Sequence, residues 1–439
     1  MARRKANAPL RVVLNGRDVG LLRKQSNGAI DFRYAEGWLN TENAIPVSLS
    51  LPVREDLYVG APVTAVLENL LPDNKPIRDQ VAARVGAGGT DAFSLLAAIG
   101  RDCVGALQFL GPDDELGEVG AIAGERMSDE AIAELLNNLK AAPLGLGEDD
   151  SFRISVAGAQ EKTALLFNRG RWIMPFGTTP TTHILKPRIG KLAPGIDLTN
   201  SIENEYLCMK LCAAFGLPTA KVEIKDFAGT QALSVERFDR LWTKDKRLLR
   251  LPQEDFCQSL GVPPSSKYES DGGPGILAGM ELLRASDSPA EDRATFLKAQ
   301  IVFWLLGATD GHAKNFSVFL FPGGRFHMTP IYDVLSVQPT VDAGALSAKQ
   351  FKLAMAVGEK RHYPVDSIVP RHFLQTAKQA GFEEKAVAKL IDELGDTATK
   401  RVAGVTKVLP GNFPEKLVSS VVRGIERRLG AIALLKQQG

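Results

Sequence analysis

The stretch Thr309-Asp310-Gly311-His312-Ala313-Lys314-Asn315 lies between two strongly apolar segments and is followed further on by Tyr332-Asp333. Residues 296–306 before it are apolar on nearly every side, which predicts a helix that is buried all round. Residues 316–321 after it form an apolar run that predicts a strand. The sequence therefore predicts a polar loop between a buried helix and a strand, with Asn315 and Asp333 at the two ends of one hairpin.

The polar side chains of this loop have a spacing that is typical of phosphoryl-transfer enzymes. Buried charges must be paired or must coordinate a metal ion, and a loop between two apolar elements would otherwise leave its charges without partners. In the phosphoryl-transfer pattern, Asp310 holds the acceptor hydroxyl, while Asn315 and Asp333 bind magnesium beside the nucleotide phosphates. His312 and Lys314 add switchable and positive charge at the same place.

A second candidate loop, Ser155-Val156-Ala157-Gly158-Ala159-Gln160-Glu161-Lys162, lies between predicted strands at residues 152–155 and 162–167. Its small residues would let backbone N–H groups approach phosphate oxygens closely. The loop matches neither GxGxxG nor a Walker A sequence, so an ordinary hairpin turn is the alternative interpretation.

Two further segments could complete a nucleotide site. Lys186 ends a predicted strand at residues 182–186 and could reach the phosphates, with Glu203 or Glu205 as its carboxylate partner; a solvated lysine is the alternative. Residues 235–239, Val-Glu-Arg-Phe-Asp, could form a hinge that binds adenine through the backbone, or could simply leave a strand.

The order of predicted elements indicates two parts. The first begins with strands at residues 10–14, 29–34 and 46–51, with a hairpin turn at Asn15-Gly16. Helices follow at residues 75–85, at 91–99 and after Ser128. Because residues 143–150 read as a linker, we predict an N-terminal subdomain of residues 1–148 and a core of residues 149–439. Within the core, residues 149–250 would bind nucleotide and residues 251–439 would be mainly helical.

Composition excludes several classes of protein. The net charge of +2 is too small to argue for nucleic-acid binding by itself. The four cysteines lack metal-ligand spacing and are expected to be reduced, buried thiols, which fits a cytoplasmic protein. No apolar run approaches the length of about 20 residues that a membrane span requires.

Taken in order, the motifs closely resemble those of the HipA family of serine/threonine kinase toxins. The matching stretches, in addition to the loops above, are Ser48-Leu49-Ser50-Leu51-Pro52, Glu68-Asn69-Leu70-Leu71-Pro72-Asp73, Ile99-Gly100-Arg101-Asp102, Thr179-Pro180-Thr181-Thr182-His183-Ile184, Val235-Glu236-Arg237-Phe238-Asp239-Arg240, Leu251-Pro252-Gln253-Glu254-Asp255 and Lys267-Tyr268-Glu269-Ser270-Asp271-Gly272-Gly273-Pro274-Gly275. The resemblance covers nearly the whole chain. It implies an α+β, protein-kinase-like bilobal fold related to phosphoinositide-lipid kinases, with an N-terminal β-rich subdomain and an all-α C-terminal lobe.

The resemblance also implies roles for individual residues. Asp310 would be the catalytic aspartate, Asn315 and Asp333 the Mg²⁺ ligands, and Ser155 a site of inhibitory autophosphorylation. The residues expected to contact ATP are Val156, Ala157, Gly158, Ala159, Gln160, Lys186, Glu236, Phe238, His312, Lys314 and Tyr332.

The same resemblance implies partners. The expected protein substrate is glutamyl-tRNA synthetase, and the expected inhibitor is a HipB-like helix-turn-helix antitoxin dimer that brings the kinase to operator DNA. Two alternatives remain open from the residues alone: a small-molecule phosphotransferase on the same scaffold, and a non-catalytic co-repressor. The latter would fail to bind Mg-ATP.

Overall fold

The chain forms two compact units, each made of segments that are not contiguous in sequence. The computed structural model describes residues 7–146, 152–158, 160–192 and 195–438. The first unit comprises Met1–Pro187, Lys225–Ser265 and Val318–Phe326, and the second comprises Arg188–Ile224, Ser266–Ser317 and His327–Gly439. The predicted subdomain boundary at residues 148–149 lies outside the described residues and stays a prediction.

The described chain contains both strands and helices, mostly in runs of one kind. The strands are β1 Leu10–Leu14, β2 Arg17–Lys24, β3 Ile30–Tyr34, β4 Tyr58–Val59, β5 Leu107–Leu110, β6 Gly124–Arg126, β7 Thr163–Asn168, β8 Arg171–Pro175, β9 His183–Pro187, β10 Gly190–Lys191, β11 Asp197–Leu198, β12 Val222–Phe227, β13 Thr230–Glu236, β14 Arg240–Trp242, β15 Leu248–Arg250, β16 Gln253–Asp255, β17 Ser317–Leu320, β18 Phe326–Met328, β19 Lys352–Val357 and β20 His362–Pro364. The helices are α1 Glu36–Leu39, α2 Ala61–Glu68, α3 Lys75–Arg84, α4 Ala92–Ile99, α5 Asp129–Asn137, α6 Ser201–Ala214, α7 Phe256–Ser259, α8 Ile276–Leu283, α9 Pro289–Leu306, α10 Gln338–Asp342, α11 Pro370–Gln379, α12 Glu384–Lys407 and α13 Glu415–Gln438.

The first unit begins with a five-stranded sheet in the order β4-β3-β2-β1-β5. The predicted hairpin turn is confirmed: Leu14 pairs with Arg17, and Asn15 and Gly16 both have positive φ, at 44° and 80°. Two left-handed residues in succession match the right-handed twist of the flanking strands. The predicted helices at residues 75–85 and 91–99 are also observed, as α3 and α4.

Two predicted strands of this unit are wrong. Residues 46–51 curl into a tight turn, because the hydroxyl groups of Ser48 and Ser50 both donate to the carbonyl of Gln258. Residues 152–155 are not a strand, since the N–H of Ser155 donates to the carbonyl of Asp102 instead of to a ladder. The side chains of residues 152, 154 and 156 are buried in the core of the N-terminal sheet.

A six-stranded sheet in the order β12-β13-β9-β7-β8-β6 forms the second layer of the first unit. Helix α5 covers it, and its buried Ile132 and Leu136 belong to one core with Leu165 and Trp172 of the sheet. The predicted cap is confirmed, since the Ser128 hydroxyl accepts from the N–H of Ala131 at 3.2 Å.

A buried cluster of charges lies inside the first unit. Asp102, in the loop after α4, is 1% exposed, and its carboxylate receives the guanidinium groups of Arg240 and Arg250, both at 2.8 Å, and of Arg237 at 3.3 Å. The hydroxyl and the N–H of Thr181 donate to the same carboxylate. The cluster therefore joins the N-terminal residues to the strand region around β13–β15.

The electrostatics of the cluster make Asp102 its necessary centre. Burial alone would raise the pKa of Asp102, but the three guanidinium groups of Arg240, Arg250 and Arg237 outweigh burial and lower this pKa. A second carboxylate, Asp239, pairs with Arg237 at 2.8 Å and accepts from the N–H of Gly105. Without Asp102, Arg237 and Arg240 would share Asp239, and Arg250 would lose the carboxylate that it pairs with.

The second unit is mainly helical and is organised around α9. From Phe296 to Leu306 this helix is buried except at Lys298, as its apolar sequence predicts. Helices α12 and α13 follow the predicted helical C-terminal region. The unit also contains the pairs β10–β11 and β19–β20, so the helical lobe carries two small hairpins.

All four cysteines are buried free thiols, as the sequence predicts. Within the described residues, no helix combines the length and the apolar character that crossing a membrane demands.

We predict that Asp102→Asn lowers the free energy of unfolding by about 3–5 kcal/mol, because it removes the charge but keeps the shape of the side chain among buried cations. Urea denaturation measures the effect. The control is Asp18→Asn, which breaks the exposed Arg11–Asp18 pair and should cost at most about 1 kcal/mol. Equal midpoints for the two variants would contradict the role given to the cluster.

A buried carboxylate also makes stability depend on pH. Burial raises the pKa of Glu254 to about 7, in spite of hydrogen bonds from the N–H of Leu49 and the hydroxyl of Ser259 to its Oε1. Its Oε2 has no hydrogen-bond partner among the described residues. Since the folded state holds the proton to higher pH than the unfolded chain, stability is full below the ordinary pKa of 4.5 and falls as the pH rises through about 7.

We therefore expect Glu254→Gln to raise the thermal midpoint at pH 8 and to leave it unchanged at pH 4.5, since glutamine mimics the protonated acid. Calorimetry at both pH values provides the measurement, with Glu125→Gln at an exposed position of the same unit as control. A gain of the same size at both pH values would refute this assignment.

Candidate active site

The predicted catalytic loop begins directly after α9. The helix ends at Gly307, which is left-handed with φ of 64°, and one turn of 3-10 helix at Ala313–Asn315 leads into β17. Strands β17 and β18 form the predicted hairpin, because the N–H of Thr329 donates to the carbonyl of Ser317. The hairpin confirms that Asn315 and Asp333 lie on either side of one pair of strands.

The amide of Asn315 has the orientation that a metal ligand needs. Its Nδ2 donates to the backbone carbonyl of Asp310 at 2.6 Å. This bond occupies the nitrogen and leaves the amide oxygen without a hydrogen bond in the part of the chain that the structure describes. An amide oxygen is a suitable ligand for Mg²⁺, whereas the amide nitrogen is not.

Tyr332 and Asp333 approach the same loop from the end of the hairpin. The Tyr332 hydroxyl donates to the carbonyl of Lys314 at 2.8 Å and lies 2.6 Å from the hydroxyl of Ser317. Asp333 has a positive φ of 59°, a conformation that costs energy for a residue other than glycine and that clusters at functional sites. The Tyr332 hydroxyl therefore connects the hairpin to the loop. The strained backbone of Asp333 makes this residue a candidate for a functional role.

His312 is a buried residue with an unsatisfied nitrogen. Burial lowers its pKa, although the nearby charge of Asp310 acts in the opposite direction. The ring is therefore neutral at pH 7. Its Nδ1 is buried and lacks a hydrogen-bond partner among the described residues, which is the kind of orphaned atom that a ligand would satisfy.

The predicted phosphate loop belongs to the first unit. Val156 is 3% exposed and packs in the core, so only its backbone could face a ligand. Gly158 has φ of 113°, and Lys162 donates to the carbonyl of Ala157 at 2.8 Å across the loop. Ala159 lies outside the described residues.

Ser155 is fully buried at the start of this loop. Its hydroxyl donates to the carbonyl of Leu70 at 2.7 Å. The loop is also held by the N–H of Asp73, which donates to the carbonyl of Gly158. The N-terminal residues thus support the phosphate loop directly.

Lys186 lies on β9, where it pairs with Leu233 of β13, and is 6% exposed. Gln160 of the phosphate loop donates to the carbonyl of Pro187 at 3.4 Å, which brings the loop and the end of β9 together. Of the two carboxylates predicted as partners for Lys186, Glu203 binds Arg188 in a two-bonded pair instead. Glu205 stays the predicted partner.

The predicted hinge is anchored by the residue between its two candidate contacts. Glu236 is exposed at the end of β13, and the ring of Phe238 packs edge-on against Phe319 at 5.8 Å. Arg237 is buried in the Asp102 cluster, and its N–H donates to the carbonyl of Thr182. These contacts of Arg237 fix the path of the backbone where it leaves β13.

Sequence reasoning assigned no role to Lys162, Arg237 or Tyr268, although each lies in a quoted motif. The Tyr268 hydroxyl donates to Oδ1 of Asp310 at 2.5 Å, from 42 residues away along the chain. The alternation of apolar and polar residues along the chain does not indicate a contact between residues so far apart in sequence. The only sequence clue is the glycine-rich segment that follows Tyr268.

The residues present fit a divalent cation that is shared with a nucleotide. Among the described residues, no three His, Cys, Asp or Glu side chains converge as a metal-binding group. Magnesium in nucleotide sites is held by one or two protein ligands together with phosphate oxygens and water, and so needs no such group. Asn315 and Asp333 would hold the ion, which would neutralise charge on the phosphates.

Sequence comparison finds the same family along both parts of the chain. The HipA N-terminal domain matches residues 10–110, and the HipA-like C-terminal domain matches residues 154–402. The chain belongs to the HipA family. The predicted family membership is confirmed, and so is the predicted α+β, kinase-like fold.

Two relatives and one solved structure agree with this membership. The protein Y4mE of Sinorhizobium fredii, named as a candidate kinase, is 38% identical over 90% of this chain and 91% of its own length. The serine/threonine-protein kinase toxin HipA of Shewanella oneidensis is 28% identical over 91% of this chain and 90% of its own length. The structure of the Shewanella oneidensis HipA, HipB and operator DNA complex contains a chain with a TM-score of 0.79, at 24% identity, covering 98% of this chain and 99% of that one. The HipA-family protein is therefore a kinase, and kinases use ATP.

We predict that Asp310→Ala and Asp333→Ala each reduce phosphoryl transfer by at least about 100-fold, because the first removes the proposed base and the second a proposed metal ligand, while packing is little changed. Transfer of radiolabelled phosphate gives the rate, and circular dichroism tests the fold. Asp366→Ala, at an exposed position of the second unit, is the matched control. Near-normal turnover in either site variant would defeat the assignment.

Proposed function

We propose that this HipA-family kinase is an ATP- and Mg²⁺-dependent protein serine/threonine kinase that acts as the toxin of a toxin–antitoxin module. By resemblance, its substrate is glutamyl-tRNA synthetase, whose phosphorylation would arrest translation and growth and so favour persistence. The protein would act in the cytoplasm. The domain organisation proposed with this function is an N-terminal subdomain of residues 1–148 followed by a kinase core.

The proposed chemistry depends on positioning and on charge. Asp310 would accept a hydrogen bond from the acceptor hydroxyl and take its proton, which aligns the oxygen for in-line attack. Asn315 and Asp333 would hold Mg²⁺. In the second unit, His312, Lys314 and Tyr332 would contact ATP. In the first unit, Lys186, Glu236 and Phe238 would contact ATP, and backbone N–H groups of residues 156–160 would bind its phosphates.

One observation carries this proposal: the Asn315 amide is turned with its nitrogen toward the Asp310 carbonyl. The same bond fixes the distance between the proposed base and the proposed metal ligand. The amide oxygen, which accepts no hydrogen bond among the described residues, is the atom that would bind the ion.

Inhibition by autophosphorylation has a physical basis in the burial of Ser155. A phosphoryl group on its oxygen would break the bond to the Leu70 carbonyl and add about two negative charges next to the buried side chains of Ile154 and Val156. The phosphorylated residue could not stay in place. The phosphate loop would then move away and lose its backbone contacts with ATP.

The proposed partner is a dimeric HipB-like helix-turn-helix antitoxin, which would inhibit the kinase and carry it to operator DNA. The support is the similarity in fold to a chain from the HipA, HipB and operator DNA complex. With a net charge of only +2, the kinase would reach DNA through the antitoxin.

A small-molecule phosphotransferase is the second candidate function. Antibiotic and lipid kinases can carry similar Asp/Asn/Asp sets on related scaffolds. The N-terminal region favours a protein substrate, because it adds a folded sheet and helices to the first unit beyond the predicted nucleotide site. Radiolabelled ATP offered to extract proteins and to small alcohols distinguishes the two functions.

Phosphosite mass spectrometry after incubation with ATP and cell extract tests the proposal. We expect new phosphoserine or phosphothreonine on glutamyl-tRNA synthetase and on Ser155 of the kinase itself. Ser155→Ala should keep labelling the target, whereas Ser155→Asp should bind Mg-ATP at least about tenfold more weakly, since the charge displaces the loop.

The Asp310→Ala variant is the control for contaminating kinases. Labelling of small alcohols in place of protein would reject the protein-kinase proposal. Labelling of a different protein would reject glutamyl-tRNA synthetase as the substrate but would leave the protein-kinase proposal standing.

A further inference from the structure

The hydroxyl of Tyr268 contacts the proposed catalytic carboxylate. It donates to Oδ1 of Asp310 at 2.5 Å, and Nε2 of His312 lies 3.9 Å from the same oxygen. In the described part of the chain, Oδ2 of Asp310 accepts no hydrogen bond. One oxygen of the carboxylate is therefore engaged, and the other is open.

The ring of Tyr268 is itself held in place. It packs edge-on against His312, with ring centroids 4.9 Å apart and an interplanar angle of 83°. The preceding carbonyl, of Lys267, accepts from the N–H of Ala313 in the catalytic loop at 3.3 Å. Tyr268 thus contacts the loop through its hydroxyl, its ring and the adjacent backbone.

The segment after Tyr268 folds back in a way that requires glycine. The N–H of Gly273 donates to the carbonyl of Tyr268 at 3.0 Å, and a Cβ on Gly273 would lie 1.8 Å from the carbonyl oxygen of Ser266. A Cβ on Gly275 would lie 2.3 Å from Cδ of Glu269. These close approaches account for the glycine-rich sequence, which the proposed function leaves unexplained.

Glu269 fastens this segment to the rest of the second unit. Its carboxylate accepts from the N–H of Ala356 on β19 at 2.6 Å and pairs with Arg361 at 3.1 Å. The residue next to Tyr268 is therefore anchored to a strand, and the position of the tyrosine hydroxyl follows from a rigid support.

We propose that Tyr268 is a positioning residue for Asp310: by donating to Oδ1 it fixes the carboxylate so that Oδ2 is directed to the acceptor hydroxyl. This inference rests on the proposed kinase function and deepens it. A carboxylate on an exposed side chain otherwise samples several rotamers, and a catalytic group held in one geometry reacts faster. Tyr268 takes no proton and touches no substrate in this role.

The test compares Tyr268→Phe with wild type in the transfer of radiolabelled phosphate from Mg-ATP to cell-extract proteins. We expect the apparent kcat to fall about 10- to 100-fold, as loss of a hydrogen bond to a charged group implies. The KM for ATP, the Kd of Mg-ATP and the thermal midpoint should stay within the error of wild type. Tyr206→Phe, which removes a hydroxyl on α6 of the same unit and keeps the ring that lies near Phe413, is the matched control and should retain full activity.

A second variant separates the hydroxyl from the ring. Tyr268→Ala should lose as much kcat as Tyr268→Phe, because only the hydroxyl orients Asp310. A Phe variant with wild-type kcat would overturn the inference, and so would a Phe variant with raised kcat, since the tyrosine would then block the acceptor position. If wild type labels no protein, or if Asp310→Ala labels normally, the proposed function itself fails.

Discussion

The burial of α9 is the constraint on which the second unit depends. Its apolar side chains from Phe296 to Leu306 are closed off from solvent, so the position of the helix end is fixed. The chain must then leave at Gly307 and turn through a polar loop into a strand. The geometry of the proposed catalytic loop follows from this arrangement, because the loop lies between two packed elements and is held internally by backbone bonds and by the bond from the Asn315 side chain to Asp310.

The sequence predicts this part of the structure well because the signals are local. An apolar helix, a polar loop and an apolar strand each show in composition and periodicity, and a two-residue turn at Asn15-Gly16 shows in residue type. Residues 152–155 mislead because the apolar Phe152 and Ile154 alternate with polar residues, as in a strand, but pack into a core without a strand partner. Apolar side chains indicate that a segment is buried, but a buried segment need not be hydrogen-bonded to a neighbouring strand.

Contacts that join distant segments lie beyond such reasoning. Arg237 meets Asp102 across 135 residues, and Tyr268 meets Asp310 across 42. In each case both partners lie in motifs that match the family. Neither motif, however, predicts that its side chain contacts the other. Only the folded chain explains why an arginine stands between the two hinge residues and why a tyrosine precedes the glycine-rich segment.

The N-terminal residues contact the segments of the first unit that are predicted to bind nucleotide. Asp102 anchors the hinge through Arg237, and the backbone of Leu70 and Asp73 supports the phosphate loop at Ser155 and Gly158. If these segments bind nucleotide as proposed, a change in the N-terminal residues would alter nucleotide binding without contacting the nucleotide. This coupling gives a structural reason for the two HipA domains to occur in one chain.

We propose that Asn315 and Asp333 bind the divalent cation that accompanies ATP. An anomalous diffraction map of crystals grown with Mn²⁺ and a non-hydrolysable ATP analogue tests it most directly. We expect a manganese peak within about 2.2 Å of the Asn315 amide oxygen and of an Asp333 carboxylate oxygen, the range of metal–oxygen bonds. A nucleotide-bound manganese ion that contacts neither side chain would contradict it.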